Sequence, residues 1–410
     1  MSLPKLIRVQ QVFDKTRLED AADVVATGLR RMGIEKKIRP GARIAITAGS
    51  RGIQNLVKMT RAAVDTVKAL GGRPFIVPAM GSHGGATDDG QKSLLADLGI
   101  SEATMGCPVL SSVAVEEIGH TPAGVPVYLD KNALHADGII AINRVKLHTI
   151  FRGDVESGLC KILAVGLGKH KGAQQIHRIG VAPILVETAR VILDKAPVLA
   201  GVAVLENSRD ETMEIHVVPP EQFEATDTAL LKRAWQVFPR VPFDPLDALI
   251  VDEMGKNISG TGMDTNVIGI GGRMGGKMTM GTPAVATVVV LGLTLEAHGN
   301  ATGIGLADLT TRRLVDSIDY KSTYTNVITT RLWAGGRLPL IMDTDREAIE
   351  LAVGDTPADQ LRVVRIKNTL HLEELEISEA LLPDARKIGL TILGKAREVE
   401  FDAAGRIRPF

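Results

Sequence analysis

The chain has only two cysteines, Cys107 and Cys160, among 410 residues, and aromatic side chains make up just 3% of it. Two thiols are too few for a disulfide framework, and a chain of this length does not need one, so a reducing setting, the cytoplasm, is expected. Net charge is missing too. The 48 Lys+Arg residues balance 48 Asp+Glu and are interspersed with them, which leaves no long-range field for nucleic acid. Long apolar runs are also absent. The stretch Met1 to Arg8 lacks the apolar run of roughly seven residues that a secretory signal requires, so no export is expected. The most apolar stretch, Pro283 to Leu295, falls short of the roughly 20 residues needed to span a bilayer and reads as a buried core element. There is no Walker loop, paired-cysteine zinc site, His-Glu-x-x-His or Gly-x-Ser-x-Gly elbow. Gly269-Ile270-Gly271-Gly272 begins like a dinucleotide fingerprint, but Met274 stands where the third glycine belongs.

What is present is aliphatic. Hydrophobic residues make up 45% of the chain, and Val/Ile/Leu strands under Ala/Leu helices imply an α/β fold with mostly parallel sheets. The length predicts two domains. Five prolines between Pro219 and Pro245 mark the boundary. The expected division is 1–240 and a Rossmann-like 241–386, with strands near 387–410 returning to the first domain.

Helical spacing of apolar residues predicts a helix over Leu18–Met32, stopped by Gly33. A strand Arg43–Thr47, a helix Leu56–Leu70 and a strand Pro74–Pro78 follow. The first strand empties into Ala48-Gly49-Ser50-Arg51-Gly52 and the second into Gly81-Ser82-His83-Gly84-Gly85. A further strand, Ala136–Ile142, ends at Asn143. Ligands of open parallel sheets bind outside the carboxyl ends of the strands, so Ser50-Arg51, Ser82-His83 and the segment after Asn143 are expected at one crevice. In the second half, strand Ala248–Asp252 enters a polar loop with Glu253, Lys256, Asn257, Asp264 and Asn266. This loop is either another ligand-side loop or an Asx-rich turn. A helix over Leu306–Ile318 and a loop bearing Tyr320, Tyr324, Asn326 and Trp333 come next. A helix Asp345–Leu351 and strands Leu361–Lys367, Gly389–Leu393 and Glu398–Asp402 follow.

The segment from Asn143 to Gly180 carries three of the nine histidines, four lysines, three arginines and six glycines. Such a mixture suits an anionic ligand, against the alternative of a flexible, solvated basic loop. His83, between small neighbours at a strand end, points to catalysis or ligand contact rather than core packing, with a glycine-flanked turn histidine as the alternative. Arg51 is either an anion fork or a solvated turn residue. Lys161, in an apolar run, is either an amine with a depressed pKa or a snorkelling side chain. His170, between Lys169 and Lys171, reads as part of a solvated basic face. Cys160 reads as a buried thiol.

These residues resemble the lactate racemase family of nickel-pincer nucleotide enzymes. That family carries an arginine in an early strand-end loop, then a glycine-turn histidine, then a histidine, a lysine and a second histidine in one glycine-rich segment. Here Arg51 is followed 32 residues on by His83 in Gly81-Ser82-His83, and His177 falls 16 residues after Lys161, with His148 ahead of both. The resemblance covers residues 40 to 180 well and the rest loosely. It implies that His177 ligates nickel in the pincer nucleotide and that Lys161 approaches or covalently holds the cofactor. Ser50 and Ser82 would line the cofactor, and Arg51 would grip its phosphate or the substrate carboxylate. His83 and His148 would be bases on opposite faces of a 2-hydroxy acid, in a cleft between two α/β domains, with Lys256, Asn257, Asp264 and Asn266 as further substrate contacts. Cofactor-synthesis enzymes would be the implied partners. The sequence departs from the family at Ala48, where an acidic residue is usual, and in a longer segment between His148 and Lys161 with Arg152, Asp154 and Glu156. It also lacks the second-domain tyrosine-glutamine-lysine cluster. These departures imply a larger or more polar hydroxy acid, such as a sugar acid. The competing reading is a nucleotide- or cofactor-binding carrier without turnover. A histidine-metal hydrolase is disfavoured, since no carboxylate accompanies the histidines at ligand spacing.

Overall fold

A computed structural model describes residues 3–50, 52–149, 151–179, 181–269, 281–330 and 332–409, apart from the side chains at 177–179, 181–183, 329 and 330. Two compact units emerge, one formed by Asp14–Phe238 and the other by Met1–Phe13 with Pro239–Phe410. The Gly269 fingerprint runs into residues 270–280, outside the described residues.

Strand β1 (Leu6–Gln10) opens the chain but belongs to the carboxyl-terminal unit. The 14–238 unit is built on β2 (Arg43–Ala48), β3 (Arg73–Pro78), a hairpin of β4 (Val115–His120) and β5 (Pro126–Asp130), β6 (Gly138–Arg144), β7 (Val198–Glu206) and β8 (Thr212–Val218). Its main sheet has the order β3-β2-β6-β7-β8, parallel except for the edge strand β8. The chain starts at β2, moves out to β3, and returns to the other side of β2 as β6. That reversal is a topological switch point, where loops leave in opposite directions and open a crevice beyond the strand ends.

Successive residues point to opposite faces, and both faces are covered. Ile44, Ile46, Ile140 and Ile142 pack with Val25 and Leu29 of the helix Ala21–Arg31 and with Met59 and Val64 of the helix Leu56–Ala69. Ala45, Val77, Ile139 and Ala141 pack with Leu159, Ile162, Leu163, Ile176, Leu185 and Leu230. The glycine-rich segment expected as a ligand loop therefore becomes core on its apolar side. It forms one helical turn, Leu159–Lys161, a six-residue π-helix, Ile162–Leu167, and a helix, Lys169–Ile179.

The start of that run is fixed by Asp227, on the helix Phe223–Val237. Its buried carboxylate accepts the Leu159 N–H at 2.9 Å and the Cys160 N–H at 2.8 Å. These are amides that no preceding turn can satisfy, and a negative charge suits a helix start. Gly158 makes the approach feasible. It sits at φ +95, and a Cβ there would collide with the Asp227 carboxylate.

The other unit holds an eight-stranded sheet whose remaining strands are β9 (Leu246–Val251), β10 (Val285–Val290), β11 (Leu309–Thr311), β12 (Leu340–Met342), β13 (Val363–Ile366), β14 (Glu374–Ser378) and β15 (Thr391–Ile392). The order is β12-β11-β10-β9-β13-β14-β1-β15. The carboxyl-terminal strand does not return to the first domain as expected. β15 pairs with β1, and β1, whose Leu6, Ile7 and Val9 are buried, has crossed into this unit. The expected helix over Leu306–Ile318 is broken by β11, whose β-branched Thr310 and Thr311 pair with β12. The expected loop at Tyr320 is the helix Tyr320–Thr330, and Glu398–Asp402 contributes one bridge, Phe401 to Ile407, rather than a strand.

Replacing Asp227 by alanine is expected to cost about 1–3 kcal/mol for each of the two orphaned amides, read by denaturant unfolding. Burial raises the Asp227 pKa from 3.8 to about 7, against the lowering effect of the two amides. The folded state thus holds a proton that the unfolded state releases earlier. Stability is therefore expected to fall as pH rises from about 4 to about 7 and to level off above, and Asp227→Asn should remove that slope.

Candidate active site

Three loops leave the carboxyl ends of β2, β3 and β6, and they meet the helical run at 159–168. Gly81, in the loop after β3, donates its N–H to the Gly166 carbonyl of the π-helix at 3.2 Å. A Cβ on Gly81 would stand 3.3 Å from the Val165 carbonyl, and one on Gly166 would stand 2.7 Å from the Ala79 carbonyl. Only glycines let these two backbones touch. The loop after β2 also reaches this segment, at ordinary contact distance: a Cβ on Gly49 would lie 3.7 Å from Ile162 Cδ1 and 3.8 Å from Asn143 Oδ1. Loops after β2 and β3 are also joined directly, by a hydrogen bond between Ser50 Oγ and His83 Nδ1. When the serine accepts from Nδ1–H, Nε2 of the neutral ring is the basic nitrogen. His83 is exposed and Ser82 half-buried.

The loop after β6 is zipped shut by three staples. Asn143 Nδ2 donates to the Gly158 carbonyl at 2.7 Å, Ser157 Oγ bonds both the N–H and the carbonyl of Lys146 at 2.6 Å, and Glu156 Oε2 accepts the His148 N–H at 2.7 Å. The tip, Phe151 and Arg152, folds back on His148. The Phe151 ring centroid lies 4.1 Å from that of His148, and Arg152 donates to the His148 carbonyl at 2.7 Å. Lys161 Nζ lies 5.9 Å from the Phe151 ring centroid, so one aromatic ring is shared by the imidazole and the ammonium. Glu156 is 1% exposed, and burial raises its pKa while the His148 amide and Arg152 oppose the rise.

Ser50, His83, His148 and Lys161 are thus gathered around one helical segment. Arg51 lies outside the described residues, as does the side chain of His177, whose backbone belongs to the helix Lys169–Ile179. His170 and Lys171 are exposed, but Lys169 is fully buried, so the expected basic face loses one of its lysines. Cys160 is buried against Asp227, and burial pushes its thiol up. Among the described residues, no group of three His, Cys, Asp or Glu is placed to hold a metal ion.

In the other unit the polar loop after β9 holds itself together. Asp264 caps the short helix Thr265–Ile268 by accepting the Asn266 N–H at 2.8 Å, and Thr294 donates to Asn257 Oδ1 at 2.7 Å. Lys256 Nζ bonds Asn326 Oδ1, Asn368 donates to Glu253 at 2.8 Å, and Asn266 is buried.

Glu156, Phe151, Asp227, Gln91 and Lys169 escaped the sequence reading as site residues. Phe151 and Glu156 had one signal, the lengthened segment after His148. The others had none, because their roles arise from contacts distant in sequence.

Residues 13–183 match the model of the lactate racemase N-terminal domain. No curated protein matches the chain. Among solved structures, the lactate racemase apoprotein from Thermoanaerobacterium thermosaccharolyticum is 13% identical, covering 70% of this chain and 74% of its own, with a TM-score of 0.45. A crystal structure of a protein from Thermotoga maritima is 11% identical, covering 68% of this chain and 72% of its own, with a TM-score of 0.47. The matched span, less than half of the chain, contains β2, β3, β6 and every loop gathered at their ends, and over this span the chain is similar to the lactate racemase N-terminal domain.

Proposed function

We propose that the protein is an isomerase that inverts C2 of a 2-hydroxy acid, using a nickel-pincer nucleotide. One observation carries this reading: the loops bearing His83 and His148 meet the same helical segment that bears Lys161. The residues present fit such a cofactor in their donor chemistry. Lys161 offers a half-buried amine for attachment, and His177, on the next helix, offers an imidazole for nickel. Glycine loops and the hydroxyls of Ser50 and Ser82 suit its phosphate. When bound, that group supplies a hydride acceptor and donor, which the side chains of this chain lack.

The protein's own contribution is proton handling. C2–H of a hydroxy acid is barely acidic, whereas its hydroxyl proton can pass to an imidazole as C2 becomes planar. Inversion needs this on two faces, hence two histidines. An unperturbed imidazole pKa of about 6.5 lets each ring take or return a proton near neutrality. Ser50 holds the His83 ring at Nδ1, and Phe151 with Glu156 holds the His148 ring and backbone. Arg51, next to Ser50, is the proposed carboxylate grip. Arg152 at the zipped tip supports a substrate more polar than lactate, such as a sugar acid. The paucity of cysteine, with both thiols free and buried, supports a cytoplasmic setting in which cofactor-synthesis enzymes load the protein. Among the described residues no helix is long and apolar enough to cross a membrane.

Protein co-produced with cofactor-synthesis enzymes is expected to contain nickel and to invert at least one member of a panel of chiral hydroxy acids. His177→Ala should lose the nickel, and absence of nickel from the unaltered protein would sink the reading. His83→Ala and His148→Ala should each keep nickel and slow inversion by about 10²–10⁴-fold. In deuterated solvent, C2 should retain its original hydrogen; deuterium at C2 would instead indicate direct deprotonation.

A further inference from the structure

Lys169 stands out against every expectation for its residue type. It is 0% exposed, and its backbone is left-handed, at φ +53. Burying an ammonium is costly unless it is paired and hydrogen-bonded, and a left-handed non-glycine residue carries strain, so the surrounding structure must over-determine both. It does. The Lys169 ammonium pairs with the Asp130 carboxylate at 3.2 Å, donates to Gln91 Oε1 at 3.1 Å, and donates to the carbonyl of Pro78, the last residue of β3. Asp130, also 0% exposed, ends β5 and accepts the Ala133 N–H at 2.9 Å. Gln91, on the helix Asp88–Asp97, is likewise buried, and its amide nitrogen donates to the Gly81 carbonyl at 3.0 Å and the His83 carbonyl at 3.2 Å.

The connectivity runs in one direction. The ammonium holds the end of β3 and orients the Gln91 amide; the amide holds the loop that β3 leads into, on both sides of Ser82. The same lysine is the first residue of the helix that carries His177. We infer that Lys169, Gln91 and Asp130 are positioning residues that hold the His83 loop in register with the helix Lys169–Ile179. This inference rests on His83 belonging to the site proposed above. The isolated job of starting a helix needs no buried charge, and a glycine would adopt the left-handed backbone without strain. Burial disfavours the charged form of both partners, pulling the Lys169 pKa down and pushing the Asp130 pKa up, so the pair persists through its mutual contacts.

Two variants test the inference. Gln91→Leu cuts the link to the loop while leaving the ion pair in place. Lys169→Met combined with Asp130→Asn removes both charges together, so no unpaired ion is left buried. Amide exchange in residues 79–86 and the pH titration of the His83 imidazole, followed by NMR on histidine-labelled protein, need neither cofactor nor substrate. They therefore report on this inference even if no hydroxy acid is inverted. Each variant is expected to speed exchange in 79–86 by about tenfold or more while leaving β7 protected, and to move the His83 titration by about half a pH unit or more as its bond to Ser50 loosens. In cofactor-loaded protein that inverts a substrate, kcat should fall by about tenfold or more with KM within about twofold. A role confined to fold stability would lower the denaturation midpoint and leave the His83 titration and loop exchange unchanged. That result, in whichever of the two variants folds, would overturn the inference.

Discussion

The arrangement of the loops in the 14–238 unit depends on the backbone contact between Gly81 and Gly166. Two segments that belong to different layers, the loop beyond β3 and the π-helix Ile162–Leu167, approach until one donates an N–H to the other's carbonyl at 3.2 Å. No side chain fits between them. A π-helix is rare and carries an extra residue per turn, and such turns recur at functional sites because they re-aim the flanking side chains. Here the π-turn separates Lys161, just before it, from the helix of His177, just after it, while its Gly166 carbonyl receives the loop of His83. The three residues are thus tied to one short piece of main chain rather than to three independent loops.

Main-chain contact of this kind needs polar groups buried with it, and the unit meets that demand with carboxylates. Asp227 covers the amides that open the helical run, Glu156 covers the His148 amide, and Asp130 balances Lys169. All three are less than 2% exposed, and burial raises the pKa of each. Paired or hydrogen-bonded burial fixes geometry more than it adds stability, because desolvation offsets much of the Coulombic gain. Placing these groups beside the proposed proton-transfer residues trades stability for a defined loop arrangement. In the carboxyl-terminal unit, Arg365 of β13, 3% exposed, bridges Asp252 and Glu376 at 2.8 Å, and buried Asp345 pairs with Arg313 and accepts the Ile407 N–H.

The central strands were legible because parallel strands covered on both faces leave a run of aliphatic residues, as in Ile44-Ala45-Ile46-Thr47 and Ile139-Ile140-Ala141-Ile142. Their glycine-marked ends were legible for the same reason, so Ser50, His83 and His148 could be assigned to one edge from topology alone. What the residues could not reveal is which charged side chains point inward. Lys169 is followed directly by exposed His170 and Lys171 and shares their polar character; only Asp130 and Gln91, 39 and 78 residues away in the chain, distinguish it. The helix Tyr320–Thr330 was hidden by its threonines and tyrosines, poor helix formers that read as a loop until tertiary context decides. β1 was hidden because a five-residue strand acquires its meaning from partners more than 360 residues later, Leu6 with Ser378 through Gln10 with Glu374.

The segment between His148 and Lys161 is a loop held together along its two arms. An insertion in a surface loop costs little in closure entropy, about 0.6 kcal/mol per doubling of length, and the staples at Asn143–Gly158, Lys146–Ser157 and His148–Glu156 offset it locally. Because those staples pair the two arms of the loop with each other, the tip can change while His148 stays in place. The tip is where Phe151 meets both His148 and Lys161, and where Arg152 lies 5.3 Å from the Trp235 ring. One ring thus packs against both an imidazole and an ammonium. An arginine held against an indole face keeps its charge oriented at little entropic cost. On the proposed function, a change of substrate would fall in a loop whose two arms are locked, so that the tip could change while His148 keeps its place.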